Sequence, residues 1–226
     1  MFSGIDLSLT GIYLVTFFAY MFTTSLGDHK ARGINKIFLA TLYVLLGLSL
    51  FIKNREWGSI DIMVLIALVF TAIGDVVLMF RFNLGALFFT IGNLSIFVYD
   101  FLLLESKGVH FSNYWWFLFV YIFFVGGYWL LERFGTHFKI DKKDRLKAFG
   151  YLALVSLHGS LGLTMYFLTD YSPAIMLGIG SFMYMMSDYV LCSYKYSLKH
   201  EVSVHKLNTF LYFAGILMVA WSICNF

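Results

Sequence analysis

Apolar positions in this chain fall into eight long runs, separated by short polar breaks. The runs lie at about 8–26, 34–52, 59–80, 84–104, 113–131, 147–169, 173–194 and 206–224, each ending at charged or turn residues. Roughly 20 apolar residues is the length at which an α-helix crosses a ~30 Å hydrocarbon core. A helix also satisfies its own backbone hydrogen bonds, as hydrocarbon demands. The pattern predicts an all-α, polytopic membrane protein of eight transmembrane helices, forming a single integral-membrane domain over 1–226. The longest connection, ERFGTHFKIDKKDRLK, is about sixteen residues and leaves no room for a separate soluble domain.

Composition agrees with that reading. Hydrophobic residues make up 60% of the 226 and charged residues 13%, with one proline. A soluble domain carries roughly 25% charged residues, so this chain lacks the polar surface to dissolve as a globule. The first run has no basic stretch before it and no A-x-A-like site after it, which predicts an uncleaved first span. The net charge of +3 carries no nucleic-acid signal, because the basic residues lie between apolar runs. Cys192 and Cys224 stand at opposite ends of their spans, which predicts free thiols.

Charge then orients the spans. One set of loops holds Lys30, Arg32, Lys36, Arg81, Arg133, Lys139, Lys142, Lys143, Arg145, Lys147, Lys195, Lys199 and Lys206; the other holds Lys53, Arg55 and Lys107. This 13 to 3 division of the 16 basic residues follows the positive-inside rule and predicts both termini on the non-cytoplasmic side. Trp57, Trp115, Trp116 and Trp221 then mark the outer interface and Trp129 the inner one, as an aromatic belt does. The basic segment 132–147 serves topology first and contact with anionic membrane lipids second. A bacterial cytoplasmic membrane is the expected host, or an endoplasmic-reticulum type for a eukaryotic source.

Candidate chemistry sits inside the apolar runs. Asp75 and Asp188 interrupt TAIGDVVLMF and FMYMMSDYVLC. A carboxylate in hydrocarbon costs roughly 2.5–3.5 kcal/mol on insertion scales, which makes each a functional candidate. Both spans run toward the cytoplasm, with Asp75 six residues before Arg81 and Asp188 seven before Lys195. At 1.5 Å per residue the two acids share a depth of roughly 9–10 Å. GDVVL and SDYVL, and LGALFFTIG (84–92) beside LNTFLYFAG (207–215), point to a parallel 4+4 internal repeat that would pair the acids across a cavity. Lys36, Asn93, Tyr212, Asn208 and Ser187 reach similar depth, so the expected array around one cytoplasm-side pocket is Asp75, Asp188, Lys36, Asn93 and Tyr212.

Plainer readings stand beside these. The acids could be interhelical glue, although such bonds yield well under 1–2 kcal/mol. Lys36 could snorkel to the interface, and Asp100 to the outer boundary. His158 reads as a satisfied core histidine, and no second His or Cys stands at metal-ligand spacing. His205 reads as a loop residue. Gly126-Gly127, Gly159-Ser160 and Gly178-x-Gly180 read as close-packing positions. No G-x-S-x-G, H-E-x-x-H or phosphate loop occurs, which removes serine-hydrolase and zinc-protease chemistry.

In this order the motifs resemble the YhhN family of eight-span membrane proteins, which includes the lysoplasmalogenases. They are Lys36 opening the second span (NKIFLA), Gly74-Asp75 in the third, Gly180 with Ser187-Asp188 in the seventh, and Tyr212-Phe213-Ala214-Gly215 in the eighth. The family's usual Pro after the Lys is Ile37 here. Its fourth-span His is best matched by Asn93, its Phe before Ser-Asp by Tyr184, and its Gln by Gly215. The resemblance implies hydrolysis of the vinyl-ether bond of lysoplasmalogens to a fatty aldehyde and a glycerophospho-alcohol, with no metal or cofactor. Of Asp75 and Asp188, one would deliver the proton; the other would stabilise the cation and activate water, as in paired-carboxylate glycosidases. Lys36 would bind the lipid phosphate, with Asn93, Tyr212, Ser187 and Asn208 lining the substrate. A proton-coupled transporter and a non-catalytic lipid-binding protein are the alternatives.

Overall fold

The computed structural model describes residues 4–27, 29–54, 60–134, 140–196 and 201–223; Trp57, Cys224, Arg55, Lys139, Lys199, His137 and His200 lie outside them. Among the described residues every element is helical: α1 (Gly4–Leu26), α2 (His29–Asn54), α3 (Ile62–Leu78), α4 (Phe82–Ser106), α5 (Phe111–Tyr114), α6 (Phe117–Phe134), α7 (Lys142–Leu168), α8 (Ser172–Tyr196) and α9 (Val202–Trp221). Seven of these are long and apolar enough to cross a membrane, which makes the chain an integral multi-pass membrane protein. The remaining apolar helix, α3, has 17 residues against the 22 expected over 59–80. It is about 26 Å long. It stops at Leu78 because the chain turns sharply there: a Cβ on Gly85 would sit 2.7 Å from the Leu78 backbone.

Other helices overrun the predicted runs. α2 begins at His29 rather than at about 34, α7 at Lys142 rather than 147, and α9 at Val202 rather than 206. Backbone bonding continues past the apolar boundary while Lys and Arg heads reach outward from their stems. His205 is therefore helical, not in a loop. Helix ends follow local signals. The first turn of α8 carries Pro173, where the missing N–H costs nothing. α4 ends in a left-handed Gly108 (φ 74°), with Val109 N–H donating to the Leu104 carbonyl at 3.0 Å and Gly108 N–H to that of Glu105, a Schellman stop.

Sequence neighbours pack as antiparallel pairs: α1 on α2, α3 on α4, α7 on α8, and α8 on α9. The first and last four long helices meet where α4 touches α7 and α2 touches α9. Glycines set the closest approaches. A Cβ on Gly180 would stand 2.8 Å from the Gly215 carbonyl oxygen; Gly178 faces the Gly162 carbonyl, and Gly159 faces Met185. Gly126 and Gly127, expected to do the same, face no atom within 4 Å. Apolar side chains such as Val15, Phe18, Phe119 and Phe123 point outward, as lipid contact requires.

The buried interior holds more acids than expected. Asp6 is buried in the first turn of α1, ion-paired with Lys53 and accepting from Ser49 Oγ at 2.8 Å. Asp100 does not snorkel: it is fully buried, and neither carboxylate oxygen has a hydrogen-bond partner among the described residues. The reason is rotational, since the same flank of α4 carries buried Ile96 and Leu104. His158 is a core residue but not a satisfied one, because both ring nitrogens lack hydrogen-bond partners among the described residues; its ring lies edge-on to Tyr184 at 5.6 Å.

Candidate functional site

Asp75, on the face of α3 carrying buried Leu68 and Thr71, turns into the bundle. Asp188, one residue past Ser187 on α8, does the same. The two acids line one chamber of about 90 Å³, together with Tyr20, Lys36, Leu78, Phe89, Ser187, Leu191, His205, Asn208, Thr209, Tyr212 and Phe213. That volume admits several waters, or the reacting end of a larger molecule. Six of the residues singled out from sequence thus converge: Asp75, Asp188, Lys36, Ser187, Asn208 and Tyr212. The seventh, Asn93, does not. Gly92 packs against Thr71 and Ala67 of α3, and Phe89 one turn earlier takes the chamber-facing position. Asn93 is buried beside them, with neither amide atom partnered among the described residues.

The two carboxylates are held differently. Asp75 Oδ1 pairs with Lys36 Nζ at 3.1 Å. Its Oδ2 accepts from Tyr212 Oη–H at 2.6 Å and from Tyr43 Oη–H at 3.0 Å. Three donors, one of them cationic, suit an ionised carboxylate. Asp188 Oδ2 accepts from Tyr151 Oη–H at 2.7 Å, and no cation pairs with it among the described residues. Lys36 thus reaches inward to an acid instead of snorkelling, with its side chain 17% exposed.

Tyr43 and Tyr151 were not singled out from sequence, although Tyr43 stands two turns beyond Lys36 on one face of α2. Around them lies an aromatic frame. Tyr184 shares a 3.5 Å contact between its hydroxyl and Thr71 Oγ1 and stands 5.4 Å from Tyr212. Phe89 meets Tyr212 edge-on at 6.1 Å. Tyr13 donates to the Phe213 carbonyl at 2.7 Å and ties α1 to α9 beside the chamber. Ser187 Oγ donates to Asn208 Oδ1 at 2.9 Å, which fixes the rim between α8 and α9.

A multi-pass helical membrane protein with two acids, a lysine and tyrosines around an internal chamber is the class that fold and site define. The chain belongs to the YhhN family, whose family model matches residues 34–223. That span contains every residue of the chamber except Tyr20. No curated protein and no solved structure matches the sequence.

Proposed function

We propose that the chamber is the active site of a lysoplasmalogenase-like intramembrane hydrolase, which cleaves the vinyl-ether bond of a lysoplasmalogen. The observation that carries this reading is the unequal support of two carboxylates facing one small chamber. Asp75, held by a cation and two hydroxyls, starts the cycle as the carboxylate; Asp188, with one tyrosine donor and no cation among the described residues, starts it with the proton. Asp188 protonates the β-carbon of the vinyl ether, and the α-carbon becomes an oxocarbenium ion beside the Asp75 carboxylate. Water adds to that carbon and gives its proton to Asp75, forming a hemiacetal. The hemiacetal then collapses: its hydroxyl proton passes to Asp188 as Asp75 protonates the departing glycerol oxygen. Aldehyde and glycerophospho-alcohol leave, and both acids regain their starting states.

The frame around the site supports an eight-crossing topology, with α3 as the short eighth span; the 13 to 3 division of basic residues supports termini outside the cytoplasm. The frame also supports a parallel repeat. A shift of 113 carries Ala67, Thr71 and Asp75 onto Gly180, Tyr184 and Asp188; a shift of 123 carries Phe89 and Gly92 onto Tyr212 and Gly215. Gly92 packs on Ala67 and Thr71 as Gly215 packs on Gly180 and Tyr184. The counterparts Thr71 and Tyr184 touch one another, as do Phe89 and Tyr212.

The test is aldehyde release from lysoplasmenyl-ethanolamine by purified protein in vesicles. Wild type is expected to release aldehyde, while Asp188→Asn loses at least a hundredfold in rate, the scale of a missing general acid. Wild type that releases none, or Asp188→Asn and Asp75→Asn variants with undiminished rates, would remove the hydrolase reading. Buried Asn93, His158 and Asp100, without partners among the described residues, favour a second reading as a proton-coupled transporter. Solute uptake driven by a pH gradient in the same vesicles, without aldehyde, would select it.

A further inference from the structure

Beside the chamber lies a second cavity of about 350 Å³, lined by Tyr20, Arg32, Gly33, Lys36, Leu78, Met79 and His205. Tyr20, Lys36, Leu78 and His205 line both spaces, so the larger cavity is the chamber's vestibule. Its charged lining is cationic: Arg32 and Lys36 stand one turn apart on α2, and no carboxylate lines it among the described residues. Lys36 is already committed to Asp75. His205 stacks on Tyr194 at 5.3 Å, and its ring nitrogens, shielded from solvent, have no hydrogen-bond partner among the described residues. Gly33 and Met79 meet at its wall, where a Cβ on Gly33 would stand 2.8 Å from Met79 Cε.

We propose that this vestibule binds the phosphate ester of a single-chain glycerophospholipid, with Arg32 and His205 as its anion contacts. The inference rests on the hydrolase reading for the identity of the reacting end, and on the vestibule itself for the head group. It reassigns the phosphate from Lys36, whose ammonium neutralises Asp75, to the residue one turn nearer the start of α2. Four residues of helix rise about 6 Å. In a lysolipid, five bonds separate phosphorus from the sn-1 oxygen, a reach of roughly 6 Å with single bonds near 1.5 Å. A phosphate at Arg32 therefore leaves the sn-1 ether at the level of Lys36 and Asp75. The other half of the bundle has a cavity of about 260 Å³ beside Tyr151, but Asp144 lines it together with Lys147: the shift of 108 that carries Tyr43 onto Tyr151 carries Lys36 onto Asp144 and Arg32 onto Ile140.

The experiment measures binding to purified full-length protein in nanodiscs. Its probes are a saturated 1-O-alkyl lysophosphatidylethanolamine, which has no vinyl ether to cleave, 1-O-alkylglycerol of equal chain length, glycerophosphoethanolamine and inorganic phosphate. The alkyl lysolipid is expected to bind at least tenfold more tightly than the alkylglycerol. Arg32→Gln should erase that preference and Arg32→Lys restore most of it, while Gly33→Leu blocks the lysolipid by filling the vestibule against Met79. Equal binding of lysolipid and alkylglycerol to wild type, or a preference unchanged in Arg32→Gln, overturns the proposal. Glycerophosphoethanolamine or inorganic phosphate binding as tightly as the lysolipid assigns the site to a soluble phosphate and overturns the lipid source. If Arg32→Gln does not fold, His205→Phe tests the same site, since it keeps the ring and removes its nitrogens; a retained preference overturns the proposal. Wild type that binds lysolipid yet releases no aldehyde from lysoplasmalogen fails the hydrolase reading alone. Aldehyde release with unchanged KM in Arg32→Gln fails the vestibule alone.

Discussion

Asp75 and Asp188 could be found from sequence because a carboxylate inside an apolar run costs too much to be incidental. Their partners could not. Tyr43 and Tyr151 belong to a set of 15 tyrosines in a chain that is 20% aromatic, where any one tyrosine reads as packing. Only the fold shows Tyr43 and Tyr212 on one oxygen of Asp75 and Tyr151 on Asp188. Hydrogen bonds to charged groups contribute about 1.5–3 kcal/mol each. We expect Tyr212→Phe to slow aldehyde release about ten- to a hundredfold, and Tyr43→Phe, at the longer distance, to slow it less. Rates for both variants within twofold of wild type, with unchanged melting temperatures, would show that these hydroxyls do not set the state of Asp75. Asn93 illustrates the opposite limit: it lies on the flank of α4 that carries Phe89 but one turn deeper, and Phe89 takes the place facing the chamber.

Most elements were legible to within about five residues because an apolar run of this length has one stable form in hydrocarbon; the run over 113–131 is instead broken at Trp115-Trp116 into α5 and α6. The contacts between elements were not legible, since small residues occur at helix interfaces and on open faces alike. Gly180 and Gly215 bring α8 and α9 into backbone contact, whereas Gly126 and Gly127 on α6 face open space. Side chains there should behave accordingly. Gly215→Val would drive carbon into the Gly180 carbonyl and the Tyr184 amide, costing about 1–3 kcal/mol as overpacking does. It would also displace Tyr212, one turn away. Gly126→Val should leave the melting temperature within the error of wild type. Equal losses for the two variants, measured by thermal unfolding in detergent, would contradict the packing described.

At the scale of the whole molecule, charge carries the proposed topology. The 13 to 3 division predicts Lys107, in the α4–α5 turn, outside and Lys143, at the start of α7, in the cytoplasm. With both native cysteines replaced, a cysteine introduced at 107 should react with an impermeant maleimide on intact cells, and one at 143 only after permeabilisation. The reverse pattern would invert the orientation. By itself the sequence determined the helical class, the count of apolar runs and the two acids at matched depth. Each of these depends on local composition and the 1.5 Å rise of a helix. Tertiary structure decided which face of each helix turns inward. It therefore decided that Asp75 takes Lys36 and two tyrosines while Asp188 takes one tyrosine, that Asn93 stays out of the chamber, and that Arg32 and His205 stand at its mouth. Those outcomes depend on the rotation and close approach of helices distant in sequence, which no run of residues encodes alone.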